Sequence, residues 1–166
     1  MIELIPFTEA HYDQLIGWIT TEEELVQFAG LSLQYPLTKE QLQRSAAEPN
    51  RLSYSVSYLP ENKIVGHAEI VFPDPATAFI YRVLIGDQSN RGKGIGFALI
   101  NQLLDIAFSN EVVKETSLNV FDWNTPAIKC YLKAGFHVNE GKIKTLQVNN
   151  QQWTALNMSC FRETRK

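Results

Sequence analysis

The residues best placed for chemistry form the run Arg91-Gly92-Lys93-Gly94-Ile95-Gly96, in which glycines alternate with cationic and apolar side chains just before a long apolar-periodic stretch. Glycines let a backbone come close to a ligand. The first turn of a following helix offers unpaired N–H groups at the positive end of its dipole. A pyrophosphate suits such a loop, although a plain strand-to-helix turn needing small residues has the same composition. Two nucleotide motifs are excluded. The dinucleotide fingerprint G-x-G-x-x-G fails because the third glycine position counted from Gly94 is Leu99, and the Walker A ending in Lys-Ser/Thr is missing.

A second group lies about thirty residues on, in Asn124-Thr-Pro-Ala127-Ile-Lys-Cys-Tyr131-Leu-Lys133-Ala-Gly135-Phe136. On a helix, positions seven apart return to nearly the same angle two turns on. An amide at Asn124 and a phenol at Tyr131 can therefore line one channel. A packed aromatic is the alternative for Tyr131 taken alone.

The elements that must hold these groups are legible from period and punctuation. Met1 to Phe7 reads as a short strand, followed after Thr8 by a helix to about Ile19 with Tyr12, Leu15, Ile16 and Ile19 at helical spacing. Thr21 to Pro36 reads as acidic and irregular. Thr38 to Gln41 has the form of a capping box opening a second helix, Gln41 reaching back to the cap residue's N–H. Alternation from about Leu52, Ile64 to Phe72, and Ala78 to Ile85 predicts an antiparallel meander broken by turns at Pro60 to Lys63 and Pro73 to Pro75. The glycine run then leads into a helix to about Ser109, with Ile95, Leu99, Leu103 and Ile106 inward. A buried strand is expected at Ser117 to Phe121. Thr125-Pro126 opens a helix, with Pro at its first position, that stops at Gly135. Phe136 to Val138 and Gln152 to Phe161 are strands, with a turn at Asn149-Asn150. The order β-α-α-β-β-β-α-β-α-β-β implies an α/β (α+β) domain with a mixed sheet and helices on both faces.

Composition narrows the function classes. The 166 residues fit a single domain, 1–166. The formal charge of −3 gives no basic footprint for nucleic acid or an anionic membrane. No apolar run approaches the ~18 residues of a membrane span, and Met1 to Gln14 does not read as a signal peptide. Cys130 and Cys160 match no zinc or redox spacing, and His11 and His137 have no spacing suggesting metal, so no metal is expected. A cytoplasmic location is expected.

Taken together, Arg-x-x-Gly-x-Gly after a strand and Asn-x-x-Ala-x-x-x-Tyr-x-Lys-x-Gly-Phe resemble the GNAT superfamily of acyl-CoA-dependent N-acyltransferases. The similarity is specific across about Ala78 to Phe136 and rests on element order elsewhere. The resemblance implies a V-shaped, largely antiparallel sheet splayed between its fourth and fifth strands. It implies acetyl-CoA as co-substrate, with Arg91, Gly92, Lys93, Gly94, Ile95 and Gly96 on the pyrophosphate. The backbone near Leu84 and Ile85 would pair with the pantetheine arm. Asn124 would touch that arm, Tyr131 would meet the sulfur, and Lys133 would lie near the adenosine phosphates. The sequence departs from the family pattern at Gly86-Asp87-Gln88-Ser89, which replaces a hydrophobic-x-Pro-Glu ending of the fourth strand.

The reaction so implied is attack of a primary amine, of a small molecule or a peptide, on the thioester through a tetrahedral oxyanion. An alkylamine of pKa ~10.4 is only about 0.04% neutral at pH 7, so freeing the nucleophile costs ~4.6 kcal/mol. A phenol of pKa ~10 gives its proton to a thiolate of pKa ~8.5 at a penalty of ~2 kcal/mol, which suits Tyr131 without a large shift. Glu69 or His67 would relay the amine proton. Val65, His67, Glu69 and Val71 alternate onto one strand face, which would equally be the polar side of a half-exposed strand. Tyr81 and Arg82 are further candidates, Arg82 also as an ion-pair partner. Glu22, Glu23 and Glu24 could draw a cationic amine or form a solvated face, and Trp123 borders the acceptor cleft or only packs. A non-catalytic acyl-CoA sensor or scaffold module and a generic phosphate-binding domain are the competing readings. A homodimer is compatible with all of them.

Overall fold

Alternating side chains from Arg51 to Ile85 build the middle of a seven-stranded sheet. The computed structural model describes residues 1–165. In it β1 (Ile2–Pro6), β2 (Arg51–Tyr58), β3 (Lys63–Asp74) and β4 (Thr77–Ile85) pair antiparallel in that order. Beyond β4 lie β5 (Glu115–Phe121), then β7 (Gln151–Phe161), then β6 (His137–Val148) at the edge. The β6–β7 hairpin turns at Asn149 and Asn150, whose φ angles of 45° and 65° are the left-handed pair of a two-residue hairpin. β6 runs well past Val138, where the sequence suggested its end, because residues 139–142 bulge and pairing resumes at Ile143 opposite Leu156.

Among the described residues the β4–β5 seam is the one parallel pairing, and it is short. Thr77, Ala78 and Phe79 pair with Glu115, Thr116 and Ser117, and beyond them the strands have no further paired residues. β5 stays paired with β7 along its whole length. The sheet therefore splits toward Ile85 and Phe121, as the resemblance implied.

Five α-helices among the described residues cover both faces. α4 (Ile95–Ser109) and α5 (Thr125–Lys133) pack on one, where Leu99, Leu103 and Tyr131 join Val56, Ile70, Ile80, Leu118 and Met158. α1 (Tyr12–Trp18), α2 (Glu22–Ala29) and α3 (Lys39–Ala46) cover the other through Tyr12, Leu15, Leu25, Phe28 and Leu42. A short 3-10 turn, Glu9–His11, links Thr8 to α1. α2 corrects the expectation of an irregular segment. Its three glutamates occupy the first turn, where the dipole favours them, Thr21 Oγ1 accepts from Glu24 N at 3.1 Å, and Leu25, Val26, Phe28 and Ala29 are buried. The capping box at Thr38 is half formed. Thr38 Oγ1 accepts from Gln41 N at 3.3 Å, but the Gln41 amide bonds the backbone of Gln34 and Pro36 instead of reaching back. Pro126 stands at the second helical position of α5, one later than expected, because Thr125 is the first and Asn124 the cap. An intrahelical N–H bond is still not required there.

Two bulges decide which way the central side chains point. Val56 faces Gly66 while Ser57 faces Ile64, so Val65 is the extra residue and turns into the α4 core rather than sharing a face with His67 and Glu69. His67 faces Leu84 while Glu69 faces Tyr81, so β4 carries an extra residue, and Arg82 there sits at φ 51°. Ahead of this bulge Ile80 packs toward α4 and Tyr81 toward α2. After it Val83 and Ile85 face the α4 core and Leu84 the α1–α3 side.

Candidate active site

The parted strands leave a cleft of about 1280 Å³ between β4 and β5, larger than a typical drug-sized pocket of roughly 300–1,000 Å³. It takes Arg91, Gly92, Gly94, Gly96, Asn124 and Tyr131 from the α4–α5 side, and Glu24, Leu31 and Tyr81 from the α1–α3 side. It therefore runs through the sheet, with one mouth on each face.

The glycine run forms the first wall. Gly94 caps α4 at φ 79°, a left-handed conformation that an L side chain resists. The first intrahelical bond is Ala98 N to Gly94 O at 3.0 Å. The preceding N–H groups of Ile95, Gly96 and Phe97 thus open onto the helix end, where no acidic residue or side-chain cap competes for them. A Cβ built on Gly92 or Gly94 meets nothing within 4 Å, and one on Gly96 meets only Cys130 Sγ at 3.9 Å. This is an open cradle lined by donors, the requirement for an anion. Arg91 borders it, Nη2 donating to Ile85 O at 3.4 Å.

Two residues of the expected set point elsewhere. Lys93 Nζ bonds Asn90 Oδ1 at 3.0 Å and Glu61 at 3.3 Å and lies 5.4 Å from the Tyr58 ring, outside the cleft lining. Ile95 is 1% exposed in the hydrophobic core. Only their backbone can serve a ligand. Leu84 and Ile85 do line the cleft, on the stretch of β4 that β5 has left unpaired. At the departure from the family pattern, Gly86 takes the place a larger residue cannot: a Cβ there would stand 1.9 Å from Trp18 Cδ2. Asp87 then caps the following turn through Ser89 N at 2.9 Å.

α5 forms the second wall. Asn124 lines the cleft while its Oδ1 accepts from Ala127 N at 3.4 Å, so the amide both caps the helix and faces the opening. Tyr131 is 9% exposed, packs against Phe136 at 5.9 Å and lines the cleft with its hydroxyl bonded to no protein group among the described residues. Burial, and secondarily the Cys130 thiol, push its phenol well above the ordinary value. This corrects the expectation of an unshifted acid: the hydroxyl stays protonated as a donor, and releasing its proton outright costs more than the free phenol suggests. Lys133 lines the cleft with Nζ 4.4 Å from the Phe97 ring centroid.

Glu69 does not face the cleft. It is 3% exposed, with Arg51 Nη1 donating to Oε2, Arg82 Nη1 at 3.3 Å from Oε2 and His67 Nε2 2.9 Å from Oε1. Burial would raise its pKa, but the His67 hydrogen bond and the guanidiniums of Arg82 and Arg51 outweigh that and hold it below the ordinary value. A carboxylate so satisfied is a poor base and has no line to a substrate, so the expected catalytic role is replaced by an ion-pair core. His67, 1% exposed between Phe7 and Phe28, is likewise sealed. Arg82 resolves as the structural partner. It also donates to Ser45 Oγ and, at 3.0 Å, to Ser32 Oγ, while Tyr81 OH donates to Ala29 O at 3.1 Å. The end of α2 is thereby tied to β4. Trp123 packs, stacked 5.7 Å from Phe121 with an edge against Trp153, and lies outside the lining.

Residues 18–136, most of the chain, match the model of the acetyltransferase (GNAT) family. The chain belongs to that family. Solved structures share its fold over nearly its whole length. The spermidine N-acetyltransferase from Vibrio cholerae, in complex with CoA and spermine, aligns with a TM-score of 0.79 at 15% identity, covering 98% of this chain and 96% of that one. The aminoglycoside acetyltransferase AAC(6')-Ib with coenzyme A gives 0.73 at 22% identity over 98% and 96%. A putative phosphinothricin N-acetyltransferase gives 0.74 at 16% identity over 97% and 98%.

The acetyltransferase's cleft also holds residues that the sequence did not single out. Lys129 lines it one helical turn before Lys133, a spacing that was available as a signal. Trp18 reaches it from α1, whose apolar period was legible but gave no sign that its last residue borders a cleft, and Leu31 from the end of α2, in a segment without clear periodicity.

Proposed function

We propose that this acetyltransferase transfers the acetyl group of acetyl-CoA to a primary amine of a small molecule or peptide, acting as a single domain over residues 1–166. The observation that carries the reading is the open glycine cradle at the uncapped N-terminus of α4, set at the mouth of a sheet split between β4 and β5. The residues present fit the co-substrate: three helix-end N–H groups for a pyrophosphate, cationic Arg91, Lys129 and Lys133 for the phosphates, and an unpaired strand edge for an amide-bearing arm.

When bound, acetyl-CoA supplies an activated thioester. In this reading the backbone of residues 91–96 holds the pyrophosphate and Lys133 neutralises the adenosine end. The free edge at Leu84 and Ile85 aligns the arm, and Asn124 bonds it. Tyr131 then directs its protonated hydroxyl at the departing sulfur, which weakens the basicity of the leaving thiolate at the moment the C–S bond breaks. The unpaired thiols Cys130 and Cys160 support a reducing, cytoplasmic setting for this reaction.

The test is acetyl-CoA turnover by the purified chain across a panel of amines, followed as free thiol release and as acetylated product by mass. Amine-dependent release supports the reading. Tight CoA binding with no turnover for any amine would favour a sensor module instead.

A further inference from the structure

We infer that the acceptor is an amine carrying a single ammonium group on an apolar body, and not a polycation; the inference rests on the acetyl-transfer reading. The acceptor mouth opens on the α1–α3 side, opposite the glycine cradle. Its lining there is apolar and drawn from four strands and one loop: Leu31 after α2, Val71 on β3, Phe79 on β4, Phe121 on β5 and Leu146 on β6. Leu31 stands 68% exposed, an unusual position for a leucine that touches a cleft, and it offers an apolar contact to whatever enters.

The charges on this side point the same way. Glu24 is the single carboxylate lining the cleft among the described residues, and its Oε2 already accepts from Thr20 N at 2.8 Å. Glu23 is bonded to Asn149, and neither Glu22 nor Glu23 lines the cleft, so the acidic run does not form a cation-binding wall. Lys144 lines the same opening, as do Arg51 and Arg82, whose charges are already paired with Glu69. One available carboxylate can attract one ammonium. A further ammonium on the acceptor would find no second carboxylate among the described lining residues to offset its desolvation.

The test is a kcat/KM series at saturating acetyl-CoA, from propylamine to hexylamine, with phenethylamine and tryptamine set against putrescine and spermidine. Each methylene that enters the apolar mouth should raise kcat/KM about fourfold until the wall is filled, and the aromatic monoamines should outrun both polyamines. Leu31→Glu, at an exposed position where folding is retained, should lower the hexylamine and phenethylamine values several-fold and raise that of spermidine. Its melting temperature, compared with the unaltered chain, shows that the change is at the site. A flat alkyl series, or spermidine preferred over phenethylamine, overturns the inference while acetyl transfer stands. Absence of turnover for every amine despite CoA binding overturns the inference together with the reading beneath it.

Discussion

Gly94→Val separates the two roles of the glycine cradle. In the free protein a Cβ at residue 94 meets nothing within 4 Å, so the branch point itself clashes with nothing. The cost is conformational, since φ at this residue is 79° and an L residue there loses ~1–2 kcal/mol. For a chain of this size that lowers Tm by roughly 2–8 °C, at ~2–4 °C per kcal/mol. Binding suffers more. The branched side chain stands beside the N–H groups of Ile95, Gly96 and Phe97, where the proposed function puts the pyrophosphate. A hydrogen bond to a charged group contributes ~1.5–3 kcal/mol, so losing two of them costs ~3–6 kcal/mol. The expected rise in the CoA Kd is therefore ~10²- to 10⁴-fold. Calorimetric titration with CoA, alongside circular dichroism and a melting curve, reads both effects on one preparation. An unchanged Kd in a folded variant would remove the cradle from the site.

Other expectations follow from the same geometry. Tyr131→Phe keeps the ring packing against Phe136 and removes the donor, so kcat should fall by ~10²-fold with the CoA Kd little changed; full turnover would mean that solvent protonates the thiolate. Glu69→Gln should cost ~3–5 kcal/mol of stability by leaving two buried guanidiniums underpaired, and turnover per folded molecule should survive; lost turnover at an unchanged Tm would restore Glu69 as a base. Because the folded-state pKa of Glu69 is depressed, its contribution is present above the ordinary value of 4.5 and is lost as pH falls through the folded value. Melting curves between pH 7 and pH 3 should accordingly show the unaltered chain losing more stability than Glu69→Gln. Gly86→Ala must displace Trp18, at ~1–3 kcal/mol for overpacking; an unshifted Tm and tryptophan emission would show that the contact is slack.

What could be read from the sequence was whatever local backbone dictates. Gly92 and Gly94 mark a left-handed chain path, both at φ 79°, that L side chains resist, the apolar period from Ile95 marks a helix, and the seven-residue step from Asn124 to Tyr131 fixes their common face whatever packs around them. These features depend on neighbours a few residues away, so they survive without knowledge of the fold. Helix α2 was missed for a related reason: eight residues with a heavily acidic first turn make too short a period to stand out.

Only the tertiary structure decided what distant residues do to one another. Glu69 looks like a base on a strand, but Arg51 comes from β2 and Arg82 from β4, and together they turn it into the centre of a buried ion cluster. Lys93 belongs to the cradle by sequence, and Glu61, brought near from the β2–β3 turn, draws its side chain away. The bulges at Val65 and Arg82 each reverse which face the next side chains occupy, and a strand pattern read with a strict period of two cannot contain that reversal. Motif spacing is carried by covalent geometry, whereas charge pairing, desolvation and the direction of a side chain depend on long-range packing, and that is settled only when the sheet closes on its helices.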